Sequence, residues 1–295
     1  MTWFHKKRGL AMGLVSIGSS LGGVIFPIMI NQLIPQVGFG WTMRTCAFLI
    51  LALLIFANLT VRSRVPPSKK PYHLKVFFTP YTEVLFLLVT LAMFFFYCKS
   101  TISRISYRSH AGTKFTMLTG GMFIPLTYIV VEARAQGMSQ NLASYLVPIL
   151  NAASILGRSI PNVMADKYGR FNVMIVMCTF TTIIIFALWL PATGNAALIV
   201  FAVLFGVGSG AGIGLAPALI GQVSPIQEIG ARVGSACAFA SIAALTGAPI
   251  GGAILSRAGG DFRYTAVFAG ITCAVGSALF LVARVRLAGV AVKAI

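Results

Sequence analysis

The sequence predicts an all-α membrane protein whose helices cross a lipid bilayer several times. Hydrophobic residues make up 58% of the 295 positions and charged residues only 9%, whereas a soluble domain carries roughly 25% charged residues. A backbone surrounded by lipid must satisfy its own hydrogen bonds, which restricts the chain to helices or a closed barrel. The apolar residues come in long runs instead of short alternating segments, and this pattern favours helices.

The first two predicted spans lie at the N-terminal end of the sequence. The apolar run 10–34 is long enough, at about 1.5 Å per residue, to cross a hydrocarbon core of about 30 Å. A turn is expected at 35–40, where Pro and Gly cluster, and the second span is 41–61. The basic, Pro-containing stretch that follows, 62–75, is the expected linker between two helical bundles.

The third predicted span is interrupted. Apolar residues run over 84–97 and again over 121–131, and each run alone is too short to cross a membrane. Joined, they would make one ordinary span, but 98–120 separates them and carries Lys and Arg residues that are costly in lipid. We expect 98–120 to be a retained intron, because the codons permitted at Cys98–Ser100 and Thr119–Gly120 allow splice signals. The alternative is a genuine extracellular insertion between two half-helices.

The remaining predicted spans are 142–165, 171–190, 196–220, 234–256 and 264–287. Of the 23 Lys and Arg residues, fourteen fall on one side of the predicted membrane and four on the other. Basic residues accumulate in cytoplasmic loops. We therefore expect the N-terminus, the stretch 62–75 and the C-terminus to lie in the cytoplasm.

Composition and motifs also exclude several functions. The net charge of +18 would fit nucleic-acid binding, but the Lys and Arg residues sit in short clusters between apolar runs. No nucleic-acid partner is therefore expected, and the lipid bilayer is the expected partner of most of the surface. The sequence shows no nucleophile triad, histidine–metal cluster or nucleotide-binding motif, so it predicts no enzyme, cofactor or metal site.

A charged signature, ADKYGR, lies between the spans 142–165 and 171–190. Its Asp166 can cap the start of a helix or meet a neighbouring helix end, and Gly169 permits a tight turn. The basic residues Lys167 and Arg170 anchor the loop on the inner side. This loop resembles the signature G-x-x-x-D-[RK]-x-G-[RK] of the major facilitator superfamily.

The N-terminal residues carry a second, narrower resemblance. An aromatic pair, the basic run Lys6, Lys7 and Arg8, a Leu-Ala pair and small residues at 18–20 follow one another. The pattern resembles the fifth-span signature of the monocarboxylate transporter branch of the major facilitators. The similarity to fungal members of this branch extends over nearly the whole chain, apart from 98–120. It implies a partial major facilitator fold whose eight spans are the family's fifth to twelfth.

The resemblance also divides the chain into parts. Residues 1–62 would be a two-span remnant of the N-terminal bundle, and 63–80 the cytoplasmic loop between bundles. Residues 81–295 would form the six-span C-terminal bundle, interrupted at 98–120. The family's first four spans would be absent, together with the first-span basic residue that the family uses in substrate and proton coupling.

Arg158 is the candidate binding residue inside the membrane. It lies eight residues before Asp166, or about 12 Å along a helix, and an Arg at that depth is costly unless it faces a cavity or a partner. The alternative is that its side chain snorkels to the nearby interface. The resemblance matches Arg158 to the family's substrate-binding Arg, whose planar fork suits a carboxylate.

Two polar residues lie near the Arg158 face of the same predicted helix. Asn151 and Ser154 precede Arg158 by seven and four residues, which places them on one side of a helix. They would extend a polar path for the substrate or, alternatively, make hydrogen bonds between helices. The family often has an acidic residue at the position of Ser154. The Gly-rich run 206–214 lacks the Lys-Ser/Thr of a phosphate-binding loop and predicts close helix packing.

The sequence therefore predicts a multi-pass transporter of small monocarboxylates that works by alternating access, with a carboxylate substrate and a proton as expected partners. The plasma membrane is the family's usual location. The alternative is a non-transporting membrane remnant or an incomplete gene model, because two bundles that rock against each other must both be present.

Overall fold

A computed structural model describes residues 8–62, 75–97 and 123–289. The described α-helices are α1 (Arg8–Thr60), α2 (Lys75–Phe78), α3 (Val84–Tyr97), α4 (Phe123–Ala135), α5 (Gln140–Tyr168), α6 (Arg170–Ile184), α7 (Asn195–Gln222), α8 (Ile229–Arg257) and α9 (Phe262–Ala288). A 3₁₀ turn, Thr79–Thr82, joins α2 to α3, and a π-helical turn, Ile185–Trp189, continues α6. Helices therefore account for nearly all of the described chain, which confirms the all-α membrane fold.

The predicted spans agree closely with these helices in the C-terminal half. Each of the five expected there lies inside one helix, or inside α6 with its π-helical turn, to within a few residues. Among the described residues, four helical stretches are long and apolar enough to cross a membrane: Gly9–Thr60, Arg170–Trp189, Asn195–Gln222 and Phe262–Leu287. The spans could be predicted because charged or Gly-containing loops separate the apolar runs of the sequence.

The turn expected at 35–40 is wrong in its extent. The helical assignment of α1 runs through Pro27 and Pro35, and the backbone leaves helical geometry only at Gly38, with φ 74° and ψ 169°. A side chain would be strained at this positive φ, whereas Gly adopts it freely. The helical assignment continues directly after Gly38, where the Thr42 hydroxyl donates to the Gly38 carbonyl at 2.8 Å.

The two halves of the interrupted span form separate helices. α3 packs mainly against α9 and α8, and α4 packs mainly against α5 and α9. The interruption, and with it the retained-intron hypothesis and the alternative insertion, lies outside the described residues. The division of the chain into bundles stays a prediction.

Two kinds of surface distinguish the helices. α5 packs most extensively against α7 and α1, and α7 also packs against α6. Large aromatic side chains such as Phe201 and Trp189 are fully buried between these helices. The second half of α1 is the opposite, since Phe48, Phe56 and Leu59 are 64%, 68% and 78% exposed. Such a face is stable in hydrocarbon and not in water.

The segment before α3 is hydrogen-bonded to the start of α8. Arg232 donates to both carboxylate oxygens of Glu83, at 2.7 and 2.5 Å, and to Glu228 at 3.0 Å. The Tyr81 hydroxyl donates to the Ser235 carbonyl at 2.9 Å. The hydrogen bonds from Arg232 hold the pKa of Glu83 below its usual range. This contact joins the segment that directly follows the predicted inter-bundle loop to α8.

Candidate functional site

α5 carries a single polar stripe on an otherwise largely apolar helix. The helix begins at an N-cap, where the Ser139 hydroxyl accepts a hydrogen bond from the backbone N–H of Leu142. The stripe consists of Asn151, Ser154, Arg158, Asn162 and Asp166. Residues three or four apart lie on one face of a helix, so these five side chains form one line along α5.

α1 presents a complementary line of small residues to this stripe. Its members are also three or four apart: Gly9, Gly13, Ser16, Ser20 and Gly23. The two helices run antiparallel, because Gly9 meets Asp166 at one end and Gly23 meets Asn151 at the other. A β-carbon on Gly23 would lie 2.6 Å from Asn151 Cγ, so a side chain at this position would have to displace the end of the Asn151 side chain. We call this contact between α1 and α5 the polar seam.

Arg158 lies in the middle of the polar seam. Its side chain is only 4% exposed. The guanidinium Nη1 donates to the Ser16 carbonyl at 2.5 Å and also to the Ser19 hydroxyl. The side chain therefore reaches across to α1, in contrast to the snorkelling alternative, and places a buried cation between the two helices.

The other two residues predicted to bind substrate also face α1. The Ser154 and Ser20 hydroxyl oxygens are 2.7 Å apart. Since Ser154 donates to the Asn151 carbonyl at 2.8 Å, the Ser20 hydroxyl is the donor to Ser154. The Asn151 amide donates to the carbonyl of Val147 at 3.0 Å. The structure thus brings Asn151, Ser154 and Arg158 to one face, where Ser154 already makes a helix-to-helix hydrogen bond.

Asp166 caps the start of α1. Its two carboxylate oxygens accept from the backbone N–H groups of Gly9, at 2.9 Å, and of Leu10, at 3.1 Å. The first N–H groups of a helix have no partner within the helix, and a carboxylate there also favours the positive end of the helix dipole. Arg170 lies 3.9 Å from the same carboxylate. Asp166 therefore has the geometry that the sequence predicted for it, with α1 as the helix that it caps.

The rest of the loop signature shapes the turn between α5 and α6. Gly169 has a φ of 91°, and its N–H donates to the Ala165 carbonyl at 3.1 Å. The Lys167 ammonium lies 5.3 Å from the centre of the Tyr168 ring. Lys6 and Lys7 lie outside the described residues, and Arg8 is described only as the first residue of α1.

Asn162 replaces the first Gly of the superfamily signature, and the neighbouring helices make room for it. It is fully buried, and its amide donates to the Arg158 carbonyl at 2.7 Å. A β-carbon on Gly214 of α7 would lie 2.4 Å from the Asn162 amide nitrogen, and one on Gly13 of α1 would lie 3.0 Å from its Cβ. The larger side chain of Asn162 on α5 is thus accommodated by glycines on both neighbouring helices.

A face of α5 next to the polar stripe makes a contact of different chemistry with α7. A β-carbon on Gly157 would lie 2.0 Å from the Val207 carbonyl oxygen, and one on Gly206 would lie 2.3 Å from the Leu150 carbonyl oxygen. Gly210 and Gly214 continue this face of α7 at intervals of four residues. The close packing predicted for the Gly-rich run 206–214 is confirmed. We call this contact the glycine seam.

Sequence reasoning missed one buried carboxylate. Glu132 on α4 is 5% exposed and accepts from the Trp189 indole N–H at 2.6 Å and from the Gln136 amide at 3.2 Å. It borders a cavity of about 430 Å³ that the loops before α7 and α9 complete.

Sequence reasoning also missed Ser16, Ser19 and Ser20, and the spacing of small residues along α1 is the signal that could have revealed them.

Comparison with known proteins finds one matching family model and several similar transport proteins. Residues 111–293 match the family model described as Major Facilitator Superfamily. The MFS-type transporter opdF of Penicillium oxalicum is 51% identical over 98% of this chain and 63% of its own length. The Fujikurins efflux protein of Gibberella fujikuroi is 43% identical over 96% of this chain and 56% of its own length. The Aspyridones efflux protein apdF of Emericella nidulans is 38% identical over 94% of this chain and 52% of its own length. The chain thus spans a little over half to about three fifths of these curated relatives.

Proposed function

The chain belongs to the Major Facilitator Superfamily, and we propose that it carries small organic molecules with a carboxylate group across a membrane by alternating access. In this proposal Arg158 binds the carboxylate. The observation that carries it is the buried position of Arg158 between α1 and α5, with its guanidinium directed at α1.

The chemistry of the guanidinium supports a carboxylate ligand. Burying a cation within a membrane is costly, and such residues usually face a pathway or a partner. Arg keeps its charge under all physiological conditions, and its planar fork matches the two oxygens of a carboxylate. The oxygens that Arg158 meets on α1, the Ser16 carbonyl and the Ser19 hydroxyl, are both neutral. A carboxylate would therefore bind the guanidinium more strongly than either of them.

The polar seam supports the alternating-access part of the proposal. On the predicted division of the chain, α1 belongs to the first bundle and α5 to the second, so the seam is the boundary between them. A hydrogen bond between membrane helices contributes only about 0.6 kcal/mol on average. A boundary held by bonds of this size can open and close without unfolding either helix.

The relatives support a transport role and widen the choice of substrates. Two of them are named as efflux proteins, for fujikurins and for aspyridones. We propose export as the physiological direction, and a substrate range that extends from small monocarboxylates to larger organic molecules that carry an acidic group. A proton is the proposed co-substrate of the same cycle, and the plasma membrane its proposed location.

Uptake into proteoliposomes tests the proposal. Vesicles that contain the purified chain should accumulate radiolabelled benzoate, Arg158→Ala should abolish the uptake, and Arg158→Lys should retain part of it, because Lys keeps the charge and loses the fork. Arg284→Ala is the matched control, since Arg284 is 7% exposed and donates to Asn172 at 2.8 Å outside the seam. Equal amounts of folded protein are confirmed by size-exclusion chromatography. Uptake no greater than that of empty vesicles would instead support a non-transporting remnant.

A further inference from the structure

The Arg158 guanidinium is held by two oxygens of α1 that lie close together. Nη1 donates to the Ser16 carbonyl at 2.5 Å and to the Ser19 hydroxyl. The Ser19 hydroxyl in turn donates to the same Ser16 carbonyl, at 3.0 Å. Two neighbouring oxygens on one guanidinium resemble the pair of oxygens in a carboxylate. The Ser16 and Ser19 oxygens therefore accept hydrogen bonds from the same Arg158 nitrogen that a carboxylate substrate would contact.

The contact is open on one side. Arg158 is buried, but Ser19 is exposed and Ser16 is half-buried. Next to Ser19, Gly18 has open space in the direction of its missing side chain, with nothing within 4 Å. A small molecule that approaches from this side would reach Ser19 before Arg158. It could bind the guanidinium fully only by taking the place of the serine hydroxyl.

We propose that Ser19, together with the Ser16 carbonyl, is a placeholder for the substrate carboxylate. In the unloaded protein these groups hold Arg158 and keep α1 against α5. A carboxylate displaces them, because its negative charge adds the attraction of an ion pair and its two oxygens match the guanidinium fork, whereas the serine oxygens are neutral acceptors. This displacement loosens the middle of the polar seam when substrate binds. Ser19 is then a positioning residue that sets the apparent affinity for substrate, an inference that rests on the proposed binding of a carboxylate by Arg158.

The placeholder makes an unusual prediction, since loss of a polar side chain at the site should tighten binding. Ser19→Ala removes the competing hydroxyl, whose hydrogen bond from the charged guanidinium is worth about 1.5 kcal/mol, so the Kd for radiolabelled benzoate in nanodiscs should fall about tenfold. Ser19→Thr restores the hydroxyl and should return the Kd to the wild-type value. Ser159→Ala is the matched control, because the Ser159 hydroxyl donates at 2.7 Å only to the Ile155 carbonyl of its own helix.

Thermal unfolding gives a second readout that a purely structural role would not change. Without benzoate, Ser19→Ala should lower the Tm, since one bond across the seam is lost. With saturating benzoate, the rise in Tm should be larger for Ser19→Ala than for the wild type, because ligand stabilisation grows as Kd falls. A structural role alone would lower the Tm and leave the benzoate-induced rise unchanged.

The outcomes separate this inference from the proposed function. If the wild type binds benzoate, Arg158→Ala abolishes binding and Ser19→Ala leaves the Kd unchanged or raises it, the placeholder is wrong and the carboxylate site stands. A raised Kd in Ser19→Ala would make Ser19 a direct ligand of the substrate. If the wild type binds no benzoate, the proposed carboxylate site is overturned, and the placeholder is overturned with it.

Discussion

Two adjacent faces of α5 meet their neighbours through contrasting kinds of contact. On the side of α1, polar side chains such as Arg158 and Asp166 form hydrogen bonds of 2.5 to 3.1 Å. On the side of α7, the backbones themselves touch, and a β-carbon on Gly157 would lie 2.0 Å from the Val207 carbonyl oxygen. One helix thus takes part in both a polar seam and a glycine seam.

The difference indicates which contact moves during transport. Close packing between backbones weakens quickly when the helices separate, because a gap of about 0.5 to 1 Å already forfeits a quarter to a half of the dispersion attraction. Hydrogen bonds between side chains can be exchanged for bonds to a substrate or to water. We infer that α5 and α7 stay together as a rigid pair, and that this pair separates from α1.

The largest effect is expected from filling the glycine seam. Gly157→Ala puts a methyl group against a backbone carbonyl that has no rotamer to change. We expect a loss of about 3 kcal/mol in the free energy of unfolding, at the upper end of overpacking effects, or failure to accumulate. The measurement is thermal unfolding of the purified protein in detergent.

Gly18→Ala on α1 is the control for this experiment. Gly18 is also helical but has nothing within 4 Å of a β-carbon, so its replacement should be neutral or slightly stabilising. An unchanged Tm in Gly157→Ala would show that α5 and α7 can separate easily, and would remove the contrast between the two seams.

A smaller effect is expected at the end of the polar seam. Asp166→Ala removes the carboxylate that accepts from Gly9 and Leu10. The expected loss in unfolding free energy is about 1 to 2 kcal/mol, typical of a helix cap. The start of α1 should also become more accessible, which faster hydrogen exchange in a peptide that begins at Gly9 would report.

Asp261→Ala is the matched control for the cap. Asp261 accepts from the Arg263 N–H at 2.9 Å, at the start of its own helix α9. Its loss should lower stability by a similar or smaller amount without affecting exchange in α1. Faster exchange in α1 for both variants would mean that the effect is not transmitted through the polar seam.

Sequence reasoning was accurate where one segment alone determines the structure. The helices α5 to α9 follow from apolar runs between charged loops, and the capping role of Asp166 follows from a short signature. It failed where the structure depends on a contact with a distant segment of the chain. Ser16 and Ser19 meet Arg158 across 142 and 139 residues of chain, and a serine on an apolar helix gives no sign of its partner.

The break in α1 shows a second limit of the same kind. Pro27, Pro35 and Gly38 are all residues that disfavour a regular helix, although a turn is expected only at 35–40, and only Gly38 leaves helical geometry. A helix can lose one hydrogen bond at a proline in a membrane, since neighbouring groups satisfy the freed carbonyl. A positive φ cannot be accommodated in that way, and the sequence alone does not show which of the three residues adopts one.

The smallest effect is expected for a single hydrogen bond within the polar seam, and it measures how easily that seam opens. Ser20 and Ser154 share a bond of 2.7 Å and are both buried. A double-mutant cycle with Ser20→Ala and Ser154→Ala should give a coupling of about 0.6 kcal/mol in unfolding free energy. A cycle between Ser20→Ala and Ser235→Ala, on the separate helix α8, should give a coupling near zero. A coupling of several kcal/mol between Ser20 and Ser154 would make the polar seam as rigid as the glycine seam. The moving boundary would then have to lie elsewhere.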